Sequence, residues 1–510
     1  MKKRNREEKI TGITDHISHG LLRIMNDHSA RIVLMFIAVY ALVQAVGLVG
    51  FYAYGWDESV YLHMSRSIIS GGSEGLMENL RPVMFPVLLM PFSASMIASR
   101  VFVLFMSLAG LWVFFRIGSQ GIEKRMSWIF PVMLAAFPFY IISSASVMTE
   151  IPSLLFHGLS VYLLIRKRYV LSGLSAFLAF FIRFPFGIYI PILFIGAFFI
   201  ERSFRSMARF FLGVVAGLPL FILNTWLFFP KTGNLVFAAF YPLINQLLDH
   251  TVSGYVWFYD KGASFYPNYF LGWTPLSLFL IAGVVIASVM LKRMISSAKK
   301  SSLSERFNIL AFALMLFPAL YLMITPHKEV RYLMLASPWI IYMICFGLTE
   351  SLRRSGEWLK KANPGSRERK MIRYSGIILL ILLFAHLMVN SFVMASGHYR
   401  APQTFYDEYL LLLEDAPEHE SVLTATPMIE TRAEIVVGYY NADYFLEMLL
   451  DRRYDHVFYT YSWFPCRQDD LRCLKTRKDT QSYLDDNYDM HNHYEKHGED
   501  YWVYSSPENV

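Results

Sequence analysis

Charge is what this sequence has little of. Asp, Glu, Lys and Arg make up 17% of its 510 residues, whereas soluble domains carry roughly a quarter. The deficit is local, because long apolar runs alternate with short basic clusters, the pattern of a chain whose solvent is lipid. Cysteine is scarcer still, with three in the chain. Cys345 lies in an apolar run and is expected to be inert. Cys466 and Cys473 flank a polar stretch and could form a local disulfide if that end lies outside the cytoplasm. A zinc site there lacks two further ligands at suitable spacing, and the loose tract His491, His493 and His497 reads as a solvated surface. There is no Gly-rich phosphate loop of the Walker or Rossmann type, no His-Glu-x-x-His motif and no Gly-x-Ser-x-Gly elbow. Nucleotide-driven transport and metalloprotease chemistry thereby lose their usual signatures. No repeat of fixed period and no low-complexity tract is found. No cleavable signal peptide is expected, since the first apolar run is too long and too far from the terminus. The chain has no Asn-x-Ser/Thr sequon, which favours a prokaryotic plasma membrane over the endoplasmic reticulum.

What is present is apolar: 55% of residues are hydrophobic, and the mean hydropathy is +0.36. A membrane helix needs ~20 apolar residues. Eight clear runs lie at about 32–54, 96–115, 128–147, 210–229, 271–291, 307–324, 332–349 and 374–393. Three shorter ones, 153–165, 169–182 and 186–200, are read as further passes, the first two short or tilted. The expected fold is therefore an all-α polytopic membrane domain of about eleven helices over residues 1–393. A small C-terminal α/β domain outside the cytoplasm is expected over 394–510, with strands at Ser421–Thr426, Ile435–Tyr440, His456–Tyr461 and Tyr501–Ser505. Helices are expected there at Thr404–Leu413 and Asp443–Leu450.

The charges test the count. With the N-terminus inside, every strongly basic segment falls on the cytoplasmic side: Lys2 to Arg4, Arg116 to Arg125, Arg166 to Arg168, Arg202 to Arg209, Lys292 to Arg306, and Arg353 to Arg373. The formal charge of +7 is thus a topology signal rather than a sign of a nucleic-acid partner. The opposite side carries a loop at 55–95 opening on Gly55-Trp56-Asp57-Glu58, a turn at 148–152 with Thr149 and Glu150, an aromatic loop at 230–270, and the charged turn Thr325-Pro-His-Lys-Glu-Val-Arg331.

These outer segments hold the residues that could carry chemistry. Asp57 and Glu58 precede an amphipathic stretch from Ser59 to Ser70. They either cap that stretch, where a carboxylate gains ~0.3–1 kcal/mol, or act as general base on an acceptor hydroxyl. In the turn His327-Lys328-Glu329-Val330-Arg331, four ionisable residues stand where a few neutral ones would connect two helices, and ionisable groups at a membrane are costly unless paired or functional. Lys328 and Arg331 can bind a phosphate, Arg in bidentate fashion, with Glu329 bracing them. An ion-paired structural turn is the alternative. Arg81, Arg100 and Arg183 lie near outer ends of apolar segments, against the positive-inside bias. One such Arg could snorkel to headgroups, but three beside acidic loops suggest an anion site, with Glu150 as partner. The aromatic stretch from Tyr255 to Trp273 fits an interfacial belt and equally a surface for sugar rings and an isoprenoid chain.

The residues together resemble the GT-C mannosyltransferases that act on lipid-linked glycans and membrane-anchor precursors. His327-Lys328-Glu329-Val330-Arg331-Tyr332 is similar to their His-Lys-Glu-x-Arg-Phe motif, with Tyr332 in place of Phe. Trp56-Asp57-Glu58-Ser-Val-Tyr61 resembles the acidic motif of the first outer loop across GT-C enzymes. Arg81-Pro-Val-Met-Phe-Pro86 looks like their Arg-Ser-x-x-x-Pro element, and Arg100 follows at the expected place. Met148-Thr149-Glu150 matches the position of their Ser-Asn-x-x-Glu turn, while Arg183-Phe-Pro185 matches an Arg-Pro-Thr segment loosely. The first loop also resembles protein O-mannosyltransferases and lipid-A sugar transferases of the same superfamily.

The resemblance implies an inverting transfer of a sugar, expected to be mannose, from a polyprenyl- or dolichyl-phosphate donor to a glycolipid or glycan acceptor. Asp57 or Glu58 would be the base. Arg81, Arg183, His327, Lys328 and Arg331 would hold the donor phosphate, supported by Arg100, Glu150 and Glu329. Each cation is expected to contribute ~2–4 kcal/mol to lowering the barrier. No ligand cage for a metal is visible, although the chemistry would accommodate a divalent cation. A lipid-phosphate transporter or flippase would instead place charges in the cytoplasmic half of the bundle and show repeat symmetry. A scaffold with a degenerate site would have lost its acidic residues.

Overall fold

The computed structural model describes residues 27–50, 56–71, 81–228, 261–296, 301–325, 328–361, 366–399, 421–424, 433–435, 438–461, 466, 470–496 and 499–507. These divide into two compact units. The first comprises residues 1–48, 100–145 and 149–399, and the second 49–99, 146–148 and 400–510.

The first unit is helical. Its elements are α1 (His28–Gly50), α4 (Met96–Gly121), α5 (Ile129–Ala135), α6 (Pro138–Ser144), α7 (Glu150–Ile165), α8 (Tyr169–Ile182), α9 (Tyr189–Glu201), α10 (Phe204–Phe228), α11 (Phe265–Trp273), α12 (Phe279–Ser296), α13 (Leu303–Ile324), α14 (Leu333–Lys361) and α15 (Ser366–Tyr399). Between α1 and α4 in the chain come α2 (Trp56–Ile69) and α3 (Met84–Leu89). Among the described residues, eight helical segments are long and apolar enough to cross a membrane, or nine if α5 and α6 form one broken span. The protein is an integral, multi-pass membrane protein. The two other expected passes are the shorter helices α7 and α8, of 16 and 14 residues.

The expected continuous run at 128–147 is bent by 71° between α5 and α6. Pro138 opens α6 and Phe137 before it is extended, with φ −67° and ψ 126°. Proline has no N–H to continue the ladder and pushes its predecessor out of the α region. A different signal sets the start of α13. Ser302 Oγ accepts from Glu305 N at 3.2 Å, and Glu305 Oε2 accepts from Ser302 N at 2.7 Å, a reciprocal capping box.

Lipid tails supply no hydrophobic drive between helices, so small residues and polar contacts carry the association. A Cβ on Gly173 of α8 would collide with the Phe210 carbonyl of α10, and one on Gly213 with the Val170 carbonyl of α8. The α12–α14 crossing repeats the device at Gly283 and Gly347. A hydroxyl network links α1, α4 and α6. Tyr40 donates to Ser144 Oγ at 3.0 Å, Ser107 and Ser144 lie 2.7 Å apart, and Tyr140 donates to the Ser107 carbonyl at 2.8 Å. Deeper, Trp339 Nε1 donates to His157 Nε2 at 2.8 Å, and the His157 ring stacks 3.8 Å from that of Tyr189. His157 is thus an interior packing residue. Cys345 is buried against Met133, as befits an inert thiol.

The second unit holds α2, α3 and an α/β domain. The domain's elements are β1 (Val422–Thr424), β2 (Ala433–Ile435), α16 (Gly438–Asp451), β3 (His456–Thr460), α17 (Leu471–Asn487), β4 (Asp489–Lys496) and β5 (Glu499–Ser505). The strands form one sheet in the order β2-β1-β3-β5-β4, parallel from β2 to β3 and antiparallel through β5 and β4. Leu423, Phe445, Leu449, Val457, Leu484 and Val503 build its core, each full burial contributing ~1.5–3 kcal/mol. Cys466 and Cys473 are joined in a disulfide at the start of α17.

One expectation is corrected here. The expected strand Ile435–Tyr440 does not run through: β2 ends at Ile435 and Gly438 opens α16. The β-prone Tyr439 and Tyr440 are overridden by the helix that carries Phe445 and Leu449 onto the sheet. His491 and His493 belong to strand β4, and His493 is exposed, as expected of a solvated tract, with its ring stacked on Trp502 at 5.5 Å between centroids. The expected helix Thr404–Leu413 and most of the aromatic loop at 230–270 lie outside the described residues, as does His327.

Candidate active site

The acidic motif of the first outer loop opens α2. Asp57 and Glu58 occupy its first turn, where the helix dipole favours carboxylates. They are nevertheless held differently. Glu58 is buried, and its Oε1 accepts from Val147 N at 2.6 Å, which ties the head of α2 to the turn before α7. Asp57 keeps 13% of its side chain exposed and pairs with Arg81, whose Nη2 lies 2.7 Å from Oδ1. Arg81 is oriented in turn by Tyr61. Its Nη1 donates to the tyrosine hydroxyl at 3.3 Å, and its guanidinium lies 5.2 Å from the ring centroid. Phe85 of α3 packs edge-on against Tyr61 at 5.1 Å, and Ser65 donates to the Pro86 carbonyl at 2.9 Å. The helical spacing of Asp57, Tyr61 and Ser65 puts all three on one stripe of α2 facing the 81–86 segment. The cap and base readings of Asp57 are thus compatible, since position in the first turn leaves its carboxylate on the accessible surface.

A second set of charges gathers within the helical unit. Thr149 and Glu150 begin α7, and Arg183 is the extended residue that ends α8, with φ −149° and ψ 110°. Arg183 Nη1 donates to Thr149 Oγ1 at 2.8 Å and lies 2.9 Å from Glu150 Oε1. Glu150 is 1% exposed. Its contact with Arg183 is an electrostatic one, off the hydrogen-bond direction, and neither carboxylate oxygen completes a hydrogen bond among the described residues.

The 325–332 turn supplies the remaining cations. Lys328 is buried, its Nζ donating to the Thr325 carbonyl at 2.7 Å. Arg331 pairs with Glu329 at two points, Nε to Oε2 at 2.6 Å and Nη2 to Oε1 at 3.0 Å. Tyr266 of α11 donates to the Glu329 carbonyl at 3.1 Å. Burial first, and the Glu329 charge second, push the Tyr266 phenol well above its ordinary value, so it serves as a neutral donor. Helix α11 is itself pinned: Trp273 Nε1 donates to Ser391 Oγ at 2.9 Å, and Asn390 Nδ2 donates to the Trp273 carbonyl at 2.7 Å.

The structure therefore joins Asp57 with Arg81, Glu150 with Arg183, and Glu329 with Arg331. Arg100, near the start of α4, is buried. Two contributors stood inside the quoted motifs without an assigned role. Thr149 is the hydrogen-bond acceptor for Arg183, and Tyr332 has both the Arg183 and the Arg331 guanidinium 5.6 Å from its ring centroid. Among the described residues, no three His, Cys, Asp or Glu side chains cluster as a metal cage.

No protein-family model matches the chain, and no curated protein matches its sequence. Its structure does have counterparts. It superposes on ArnT from Cupriavidus metallidurans bound to undecaprenyl phosphate with a TM-score of 0.61 at 13% identity, covering 94% of this chain and 98% of that one. The apo state of the same protein gives a TM-score of 0.55 at 15% identity. An oligosaccharyltransferase from Archaeoglobus fulgidus, in complex with zinc and sulfate, gives 0.50 at 13% identity over 92% of this chain and 73% of that one. At these identities the likeness is one of fold, and the chain shares the fold of these proteins over more than nine-tenths of its length.

Proposed function

We propose that the chain is a membrane glycosyltransferase that takes a sugar from a polyprenyl-phosphate carrier and passes it to a hydroxyl of a glycolipid or glycan acceptor outside the cytoplasm. The observation that carries this reading is the partly exposed Asp57 carboxylate, paired with Arg81 at the head of α2, in a fold that in ArnT holds undecaprenyl phosphate. Fold alone does not set function, so the chemistry of the paired charges is the warrant. The sugar assigned is mannose, on the likeness of the turn from His327 to Tyr332 to the mannosyltransferase motif.

The reaction is a single displacement with inversion. Asp57 accepts the acceptor's hydroxyl proton as the new C1–O bond forms and the bond from C1 to the phosphate oxygen breaks. The leaving polyprenyl phosphate carries the displaced electron pair. Lys328, Arg331, Arg183 and His327 stabilise that charge, each worth ~2–4 kcal/mol of barrier by analogy with other electrostatic stabilisers. Arg81 orients the Asp57 carboxylate. Glu58, committed to the Val147 N–H, is assigned the fold of the loop. Any divalent cation would be tested by comparing transfer with and without a chelator.

The deciding assay is transfer from radiolabelled polyprenyl-phosphate mannose in membranes containing the protein, alongside donors carrying other hexoses. Asp57→Asn is expected to lower turnover by ~10²–10⁴-fold, the usual worth of a general base. Unchanged transfer by that variant would remove Asp57 from its role. Consumption of none of the donors would sink the glycosyltransferase reading itself.

A further inference from the structure

The charged groups of the helical unit meet at one residue that carries no charge. Arg183 comes from the end of α8 and Arg331 from the turn before α14, 148 positions apart in the sequence, yet each guanidinium carbon stands 5.6 Å from the centroid of the Tyr332 ring. Each also has a carboxylate of its own: Glu150 for Arg183 and Glu329 for Arg331. Two like charges brought to one ring repel each other. The negative face of the aromatic ring adds to those two carboxylates in offsetting that repulsion. Both side chains stay partly exposed, at 16% and 26%, and so can be approached by a further anion.

We propose that Tyr332 is a positioning residue that sets the spacing of Arg183 and Arg331 for one phosphate group of the lipid carrier. This rests on the glycosyltransferase reading above and specifies how its donor is held. The ring does the work and the hydroxyl does not, because both contacts are to the π face. Phenylalanine at this position is therefore equivalent, whereas an aliphatic side chain of similar bulk is not. The effect belongs to binding of the phosphate, which both the sugar-charged donor and the discharged carrier possess. It should appear in the donor KM and in the inhibition constant of undecaprenyl phosphate alike, and also in kcat, because the same two cations face the charge that develops on the leaving phosphate.

The experiment uses the full-length protein in proteoliposomes and measures three quantities: donor KM, kcat, and the inhibition constant for undecaprenyl phosphate. Tyr332→Leu is expected to raise KM and the inhibition constant together by about tenfold, the sum of two cation–π contacts, and to lower kcat as well. Tyr332→Phe is expected to match the parent. A merely structural ring would lower the active fraction and leave KM unmoved. To separate electrostatics from shape, trifluorophenylalanine at 332 keeps the ring's outline but withdraws charge from its face, and KM is expected to rise relative to Phe. Equal KM for the Phe, trifluorophenylalanine and Leu proteins would overturn the proposal, as would a loss on Tyr332→Phe equal to that on Tyr332→Leu. If the parent transfers no sugar from any carrier, the function proposed above has failed. Direct binding of undecaprenyl phosphate to the same variants then tests Tyr332 by the same ranking, and absence of binding to the parent overturns it too.

Discussion

At the residue scale, the three ion pairs differ in how much protein surrounds them, and this sets what each mutation does. Glu150 is 1% exposed and its partner Arg183 16%. Removing Arg183 strands a buried carboxylate, which costs about 3–5 kcal/mol unless the group takes up a proton. Arg183→Ala is therefore expected to lower the melting temperature of the purified protein as well as its transfer rate. The double variant Glu150→Gln/Arg183→Met should recover the melting temperature without recovering transfer. A double variant as unstable as Arg183→Ala would show that the pair is not the source of the loss. Arg331 and Glu329 are 26% and 18% exposed, so water can solvate whichever partner remains. Arg331→Ala is expected to cost only about 1 kcal/mol of stability while weakening donor binding, so stability and function separate cleanly at this position. The sequence exposed these residues because charge stands out against lipid-facing neighbours. It did not distinguish Asp57 from its neighbour Glu58. That difference comes from the Val147 N–H, which reaches Glu58 from 89 residues away.

At the scale of elements, legibility follows the hydrophobic pattern. Each of the eleven apolar runs contains helix among the described residues, because a long apolar run in lipid can satisfy its backbone within itself. The bend at Pro138 was readable in principle from the proline, yet the run of apolar residues on both sides masked it. Helix α17 was missed for the opposite reason. Its buried positions are Thr476, Thr480 and Leu484, the right i, i+4, i+8 stripe, but two of the three are threonines and the apolar periodicity disappears. Its start is secured by Asp470, which accepts from Cys473 N at 3.1 Å, and by the Cys466–Cys473 disulfide. Replacing both cysteines by serine is expected to cost about 2–3 kcal/mol, the loop-closure value for so short a ring. Faster amide exchange in the first turns of α17 would report it, and unchanged exchange would assign the disulfide no structural role. The glycine crossings make a sharper prediction. Gly213 of α10 sits against the Val170 carbonyl, a rigid neighbour that cannot rotate away. Gly213→Leu should force α8 and α10 apart and destabilise the bundle by about 1–3 kcal/mol or more. The same change at Gly272, where nothing lies within 4 Å, is the control. Equal melting temperatures for the two variants would contradict close packing at the α8–α10 crossing.

At the scale of the whole molecule, the fold is shared with ArnT at 13% identity, and fold alone does not set function. The proposed function makes its own demand on placement, that of charges near the ends of apolar helices. If that demand is a polyprenyl phosphate, the lipid should bind the folded protein and not the unfolded chain, and so raise its melting temperature. At a free concentration one hundred times the dissociation constant, the gain is about 2.7 kcal/mol. The same isoprenoid as a neutral alcohol offers an identical hydrocarbon chain without the phosphate. The expected result is a clear upward shift with undecaprenyl phosphate and little with undecaprenol. Combining Lys328→Gln with Arg331→Gln should narrow the difference between the two lipids, leaving the part that Arg183 supplies. High salt should narrow the difference little for Lys328, which is buried, and more for the exposed fraction of Arg331. An equal shift with both lipids in the parent would mean that the chain recognises hydrocarbon alone, and the cations at 328 and 331 would then belong to the fold rather than to a carrier phosphate.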